Sequence, residues 1–425
     1  MNPKVLGCRA RSWLRCLYHS LPERISMFFS PDRHEPLSSV TWSETKAREA
    51  IASIVRNTHD SFAPRRYWPS HTLDTKKTSP QYMLYWGACG VLWALRYLEK
   101  RGAIPQERDY ARCIAPLVAR NKTSMGQAKA AAFGSYMMGD TSIQMLQYWH
   151  QPTPATADEL ARLVEQTIDH PARELMWGAP GTLLAALRMH QRTGEVRWAT
   201  LYQTTARKLW SQLEWSQEHG CYYWTQSLYG QQSTYLDAVH GFVATAVPLI
   251  QGRHLLPAME WDAWQQRIAN TVRKTAEWED GLVNWRARLS SPLGATKLVQ
   301  FCHGAPGFVI CLADFPDATL DDLLIAGGET TWRAGPLSKG SNLCHGTGGN
   351  GYAFLKLYRR FNDAKWLGRA RAFAMHGIAQ TEADLAKYGQ LRYSLWTGDL
   401  GFAIYLWDCI EGCDRFPTLD TFFAD

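Results

Sequence analysis

Cys302-His303-Gly304-Ala305-Pro306-Gly307 is one copy of a short motif that recurs along this chain and decides its fold. In each copy a turn glycine precedes an apolar segment, and in most copies a second glycine follows within two or three residues. The turn glycines of the copies are Gly87, Gly126, Gly178, Gly241, Gly304, Gly346 and Gly398. They lie on average about 52 residues apart, which indicates an internal repeat.

The segments after the turns have the composition of buried helices. Residues 91–98, 182–187 and 352–358 are apolar nearly all round and rich in Ala and Leu. Amphipathic stretches, such as residues 199–214 and 261–278, lie between them, and strand signals are sparse. We therefore predict an all-α fold, an α/α toroid in which seven inner helices form a barrel inside seven outer helices. The glycine turns would gather at one mouth of the barrel; an open solenoid is the structural alternative.

Composition places the chain among globular proteins, with 46% hydrophobic and 20% charged residues. No apolar run reaches the roughly 18–20 residues that a membrane span needs. The net charge of +7 is not concentrated in the stripes or motifs of nucleic-acid-binding proteins, so we expect no nucleic-acid partner. Ten cysteines without a secretory segment favour a reducing, cytoplasmic setting, where cysteine serves as a core residue or a metal ligand.

The N-terminal part of the chain differs from the repeats. We predict an extension over residues 1–75 and the toroid domain over residues 76–425. In the first 30 residues, basic side chains such as Arg11 and Arg15 alternate with apolar ones such as Leu14 and Leu17. This pattern is compatible with a basic amphipathic helix that rests on an anionic membrane. A leader segment, or a helix docked on the body, is the alternative that we favour.

Two copies of the motif carry chemistry. In a closed ring, Cys302 and the Cys344-His345 pair would meet at the mouth, because they belong to neighbouring repeats. Two thiolates and one imidazole can bind Zn²⁺ and leave its fourth position open, as in catalytic zinc sites. His240 and His303 lie in turns at the same mouth and are candidates for proton transfer. From spacing alone, a metal site and a coincidence of core residues remain alternatives.

At these residues the sequence resembles the LanC-like (lanthionine synthetase C-like) family, in particular its eukaryotic-type branch. The resemblance runs from about residue 85 to the C-terminus. It is carried by Glu174-Leu175-Met176-Trp177-Gly178, Val239-His240-Gly241, Cys302-His303-Gly304-Ala305-Pro306-Gly307, Lys339-Gly340-Ser341-Asn342-Leu343-Cys344-His345-Gly346, Asn350-Gly351-Tyr352-Ala353-Phe354-Leu355 and Arg415-Phe416-Pro417. The resemblance implies an α/α toroid. It also implies zinc ligation by Cys302, Cys344 and His345, acid–base catalysis by His240, and glutathione contacts by Lys339 and Arg392.

The resemblance predicts the reaction as well. The leading hypothesis is zinc-dependent addition of a thiol, from glutathione or a peptide cysteine, to a dehydroalanine or dehydrobutyrine residue, which forms a thioether. In relatives the same site also eliminates phosphate from phosphoserine or phosphothreonine, so phosphorylated peptides are expected partners. His240 or His303 would protonate the enolate.

Two departures from the family pattern support an alternative. Gln127 and Thr397 stand where the family has acidic residues, although Asp399 follows two positions after Thr397. The alternatives are a non-catalytic sensor or scaffold that binds zinc and glutathione, and a lanthipeptide cyclase that acts on a precursor peptide. A toroid glycosidase would need paired carboxylates, and we disfavour it because Asp399 is the one acidic residue recognised in a turn.

Overall fold

The computed structural model describes residues 29–76, 79–126 and 132–424, which form a mainly helical fold. In chain order its helices are α1 (Glu44–Asp60), α2 (Ala88–Lys100), α3 (Ala111–Ile114), α4 (Leu117–Met125), α5 (Thr141–His150), α6 (Pro154–Thr167), α7 (Ala179–Thr193), α8 (Val196–Ser211), α9 (Phe242–Gln251), α10 (Ala258–Thr275), α11 (Ala305–Leu312), α12 (Asp321–Ala334), α13 (Thr347–Phe361), α14 (Ala364–Tyr388) and α15 (Asp399–Glu411). Short strands pair as the antiparallel hairpins β1 (Glu214–Ser216) with β2 (Cys221–Tyr223), β3 (Gln226–Leu228) with β4 (Gln231–Ser233), and β5 (Glu277–Glu279) with β6 (Leu282–Asn284).

The helices form two concentric layers. In the described part of the chain the inner layer consists of seven helices, namely α2, α5, α7, α9, α11, α13 and α15. Each contacts the next in chain order, and α15 contacts α2, which closes the ring. The outer helices α1, α4, α6, α8, α10, α12 and α14 each pack on an inner helix. The predicted toroid is therefore confirmed, and the open solenoid is wrong.

The second repeat begins later than predicted. Gly126 does not precede an inner helix; it follows α4 with a φ of +78°. The inner helix α5 begins instead after Gly139-Asp140. The motif is hard to recognise there because Ser142 replaces the second glycine and donates its hydroxyl to the Tyr136 carbonyl oxygen. An acidic residue thus does follow the second turn glycine, while Gln127 lies outside the described residues.

The two amphipathic stretches are confirmed as outer helices, with shifted ends. The helices are α8 and α10, and the last predicted residues, Glu214 and Trp278, lie in strands β1 and β5 instead. Hairpins β1–β2 and β3–β4 follow one another between α8 and α9, and hairpin β5–β6 lies between α10 and α11. In these two repeats short strand pairs therefore connect the outer helix to the turn of the following inner helix.

Part of the predicted N-terminal extension belongs to the outer layer. Helix α1 packs on α15 and also contacts α14. Ahead of it, Glu35 N donates to the Pro336 carbonyl oxygen, and Ser338 N donates to the Arg33 carbonyl oxygen, each as a backbone bond. Residues 1–28, on which the prediction of a basic amphipathic helix rests, lie outside the described residues. Among those described, no helix is both long and apolar enough to cross a membrane.

A chain of backbone hydrogen bonds joins the turns at the mouth. At five of the turns, the residue two positions before the turn glycine donates its N–H to the carbonyl of the equivalent residue in the next repeat. The bonds run from Cys302 to Cys344 (3.0 Å), Cys344 to Trp396 (2.8 Å), Trp396 to Tyr85 (3.1 Å), Tyr85 to Met137 (3.2 Å) and Met137 to Met176 (3.3 Å). Two cysteines from neighbouring repeats are therefore adjacent because they occupy equivalent positions in the ring.

The second glycine of a turn allows close packing of the new helix on the turn. A Cβ atom on Gly349 would lie 1.8 Å from the Leu343 carbonyl oxygen, and one on Gly307 would lie 2.0 Å from that of Phe301. Real Cβ atoms do not approach backbone oxygens so closely, and neither helix nor turn can move without disturbing the ring. This steric requirement explains why glycine recurs at this place.

We expect Gly349→Ala to lower the free energy of unfolding by about 3 kcal/mol or more, because the added methyl group overlaps backbone. Gly368→Ala is the matched control, since nothing lies within 4 Å of the added methyl group on the exposed face of α14. That control should stabilise the helix by up to about 1 kcal/mol. Thermal and urea unfolding of both variants measure the contrast; equal stabilities would contradict this account of the turn.

Candidate metal centre

The structure brings Cys302, Cys344 and His345 together at the mouth. Their ligand atoms lie within 4.8 Å of one another, and no other group of three or more His, Cys, Asp or Glu side chains in the described residues is arranged to hold a metal. Both cysteines are buried, with 9% and 3% of their surface exposed, whereas His345 is half-buried and faces the mouth. Asn342 fixes the turn, because its Oδ1 accepts the His345 N–H at 3.0 Å.

The two sulfur atoms lie in a polar environment within a buried site. Tyr85 Oη donates to Cys344 Sγ at 2.8 Å, and Gln300 Nε2 donates to Cys302 Sγ at 2.9 Å. A hydrogen bond from the Cys302 thiol lowers the pKa of Cys344 well below its usual value and raises that of Cys302. These opposite shifts favour the form in which Cys344 is the thiolate and Cys302 keeps its proton. Two sulfurs and one imidazole, with Tyr85 and Gln300 donating hydrogen bonds to the sulfurs, fit a soft divalent cation such as Zn²⁺.

His240 lies at the same mouth and is paired with a buried carboxylate. Its Nδ1 is 2.9 Å from Oε2 of Glu174, which is fully buried. The backbone N–H groups of Met176 and Trp177 also donate to this carboxylate, at 2.9 and 2.5 Å. Burial lowers the pKa of His240, but the hydrogen bond and charge of Glu174 outweigh this effect, so the pKa is raised overall. Glu174 therefore orients the ring and favours its protonated form.

His303 has a similar neighbour. Its Nδ1 lies 2.8 Å from Oδ2 of Asp237, another fully buried carboxylate. The other oxygen of Asp237 accepts the backbone N–H of His240 at 2.8 Å, so this carboxylate bridges the two turns. Tyr235 is next to both imidazoles: its ring centroid lies 5.5 Å from that of His240 and 6.4 Å from that of His303. The two histidines predicted to move protons thus share one wall of the mouth.

Lys339 and Arg392 line one recess beside the metal ligands. The recess is also lined by His71 and Asp399. Lys339 is exposed, whereas Arg392 is buried and its Nε donates to Oδ1 of Asp74 at 3.0 Å. The structure therefore brings together the two residues predicted to contact glutathione, but Arg392 already has a carboxylate partner from the segment before α2.

Thr397 and Asp399 have structural contacts in the last turn. The Thr397 hydroxyl bonds to that of Ser394 at 2.9 Å. Asp399 Oδ2 accepts the backbone N–H of Arg392 at 2.8 Å. Because the Asp399 carboxyl is buried, its pKa is raised from 3.8 to about 6. These contacts give Asp399 a role in closing the turn rather than in facing His240.

Asp399 should make stability depend on pH. Between about pH 4 and 6 the folded protein keeps a proton on Asp399 that the unfolded chain releases, so stability falls as pH rises through this window. At pH 8 we expect the free energy of unfolding of Asp399→Asn to exceed that of wild type by about 1–3 kcal/mol, which also raises its unfolding temperature. The difference should vanish below about pH 4.

Asp262→Asn, which changes an exposed carboxylate on α10, is the control for that experiment and should show no such trend. Thermal unfolding of the three proteins from pH 4 to pH 8 provides the measurement. If the advantage of Asp399→Asn did not grow with pH, the burial account of this carboxyl would be wrong.

Several site residues escaped the sequence prediction. Glu174 appeared only as part of a motif, and Asp237 and Tyr85 were not singled out. Glu174, Asp237 and Asn342 each lie four positions before a turn glycine and accept a backbone N–H of their own turn. An acidic or amide residue at that place was the available signal, but which of these side chains also reaches a histidine depends on the tertiary fold.

The fold and this cluster together define an α/α toroid with a Cys/Cys/His group at its mouth. The solved structure of nisin cyclase shares this fold, with a TM-score of 0.57, 14% sequence identity, and coverage of 88% of this chain and 97% of that one.

The chain belongs to the lanthionine synthetase C-like protein family, whose model matches residues 17–421. It is similar to "Glutathione S-transferase LANCL1" of Danio rerio, with 30% identity over 44% of this chain and 46% of that protein. It is also similar to "LanC-like protein GCL1" of Arabidopsis thaliana, with 36% identity over 28% of this chain and 30% of that protein. The matched regions thus span less than half of either relative.

Proposed function

We propose that this protein joins the thiol of glutathione, or of a peptide cysteine, to a dehydroamino acid residue of a peptide, with zinc as cofactor. The single observation that carries the proposal is the cluster of Cys302, Cys344 and His345 beside the Glu174–His240 pair. The name of the Danio rerio relative, a glutathione S-transferase, supports glutathione as the thiol. A reducing, cytoplasmic setting, in which these thiols stay available, goes with the proposal.

The three ligand side chains would hold the metal. Zn²⁺ bound there would lower the pKa of a coordinated thiol and so supply the nucleophile. The protein's own contribution to this step is a buried, polar pocket in which Tyr85 and Gln300 donate hydrogen bonds to the ligand sulfurs. Such outer contacts orient ligands and tune their basicity.

The histidines would handle protons. As the sulfur forms its bond to Cβ of the dehydroamino acid, the electrons of the Cα=Cβ bond move to Cα and its carbonyl group. Protonated His240, favoured by Glu174, would then donate a proton to Cα. His303, beside Asp237, is the second candidate for this role. Lys339 would attract a carboxylate of glutathione from the recess next to the metal ligands. Arg392 lines the same recess and would contact glutathione there if its guanidinium exchanged Asp74 for the ligand.

Mass spectrometry of a dehydroalanine peptide incubated with glutathione tests the proposal. Wild-type protein should accelerate formation of the glutathione adduct over the uncatalysed rate, and His240→Ala should reduce that acceleration by about 100-fold or more. Equal adduct from both proteins would remove His240 from the mechanism. Binding of glutathione without any accelerated adduct would instead support the sensor or scaffold.

A further inference from the structure

Arg288 lies one aromatic ring away from both candidate acid–base histidines. Its guanidinium carbon is 4.7 Å from the ring centroid of Tyr235, and its Nη2 donates to Tyr235 Oη at 2.6 Å. Tyr235 in turn contacts the imidazoles of both His240 and His303. Neither Arg288 nor Tyr235 takes part in the proposed reaction.

The backbone under this pair is held firmly. Leu236 N donates to the Ala287 carbonyl, and Leu289 N donates to that of Thr234, both at 2.8 Å. On the other side, the buried amide of Gln226 accepts the backbone N–H of Tyr235 at 2.7 Å. Arg288 is therefore attached to an ordered part of the mouth rather than to a free loop.

Arg288 carries a charge that no neighbour among the described residues neutralises. The side chain is exposed, and it forms no ion pair with any carboxylate in the parts of the chain that the structure describes. Arg286, two positions earlier, provides the contrast: it is buried and lies 3.7 Å from Glu277 Oε1. A guanidinium that is held in place without a carboxylate partner can bind an oxyanion by donating two parallel hydrogen bonds to it.

We infer that Arg288, positioned by Tyr235, recognises an oxyanion on the peptide substrate next to the reacting residue. This inference deepens the proposed function, on which it rests, by assigning a specificity-determining residue to the peptide side of the same site. Glutathione has its candidate contacts in the recess with Lys339 and Arg392, which leaves Arg288 for the other substrate. Two oxyanions fit: a phosphate on the reacting serine or threonine, and a carboxylate side chain beside the dehydroamino acid.

Binding measurements with four ligands test this assignment on the full-length, zinc-loaded protein. The ligands are a neutral dehydroalanine peptide, the same peptide with a flanking Glu, the corresponding phosphoserine peptide, and glutathione. Wild type should bind at least one anionic peptide more tightly than the neutral one. Arg288→Gln should abolish that preference, about tenfold or more in Kd, without changing the affinity for glutathione. Arg288→Lys, which keeps the charge but not the planar fork, should retain part of it.

Arg359→Gln is the matched control, because Arg359 is exposed at the far end of α13 from the turns and should change no affinity. The inference is overturned if wild type shows no preference for either anionic peptide, or if Arg288→Gln keeps the preference. It is also overturned if Arg288→Gln weakens glutathione binding instead. A missing preference together with normal adduct formation from the neutral peptide would leave the proposed function intact. A preference that depends on Arg288, without any adduct formation, would instead refute the proposed reaction alone.

Discussion

Cys344→Ala protein will contain almost no zinc, whereas wild type will contain about one zinc ion per chain. Cys344 is buried beside its two candidate partner ligands and accepts a hydrogen bond from the Tyr85 hydroxyl. Among the described residues no fourth His, Cys, Asp or Glu side chain belongs to this group, so two ligands remain after the substitution. Loss of an outer hydrogen-bond partner already costs about 10–100-fold in metal affinity. Loss of a direct ligand should cost more, and adduct formation should fall to the uncatalysed rate.

Metal analysis of purified proteins measures this effect, with Cys113→Ala as the control. Cys113 is a half-buried free cysteine on α3, away from the turns, and its replacement should leave the zinc content unchanged. Cobalt-loaded wild type should also show thiolate-to-metal absorption that Cys344→Ala lacks. Wild-type protein without zinc, or equal zinc in wild type and Cys344→Ala, would refute the metal centre and the proposed reaction with it.

Much of the fold was predictable because the repeat leaves a strong sequence signal. In five of the seven repeats a second glycine stands where the new helix packs on its own turn, as Gly349 does on Leu343, and apolar segments follow at a regular spacing. The prediction failed at the second repeat because Ser142 occupies the position of the second glycine and donates its hydroxyl to a carbonyl oxygen of the turn. A hydroxyl in place of a glycine changes the motif without changing the backbone arrangement.

The candidate site was predictable in its ligands and less so in their partners. Cys302 and Cys344 come together because equivalent positions of neighbouring repeats are joined by a backbone hydrogen bond, which follows from repeat register. The carboxylate partners do not follow from register alone. Glu174 belongs to the repeat before that of His240. Whether its carboxylate contacts the imidazole depends on how closely the two turns approach each other at the mouth. Likewise, the pairing of Arg392 with Asp74 joins segments distant in sequence.

Glu174→Gln should reduce the rate of adduct formation by about 100-fold to 10,000-fold while leaving the zinc content unchanged. Glu174 accepts two backbone N–H groups as well as Nδ1 of His240. An amide in its place must direct its NH₂ group either at a backbone donor or at the imidazole. In the second arrangement Nδ1 becomes an acceptor, and the neutral tautomer with its proton on Nε2 replaces the imidazolium.

The pH profile separates this positioning role from a loss of structure. Glu174 raises the pKa of His240, and protonated His240 is the proposed proton donor, so activity should decline as pH rises above that pKa. Without the carboxylate the pKa of His240 falls, and the decline should begin at a lower pH in Glu174→Gln than in wild type. A merely destabilised enzyme would lose activity at all pH values without shifting the pH at which the decline begins.

Glu165→Gln, which changes an exposed carboxylate on α6, controls for loss of negative charge and should retain wild-type activity and pH profile. If Glu174→Gln kept full activity, His240 would not need its carboxylate, and the proton donor would have to be sought at His303 beside Asp237. Asp237→Asn would then be expected to shift the profile instead. The two carboxylate variants, measured together, decide which of the adjacent imidazoles delivers the proton to Cα, since each imidazole has its own buried partner.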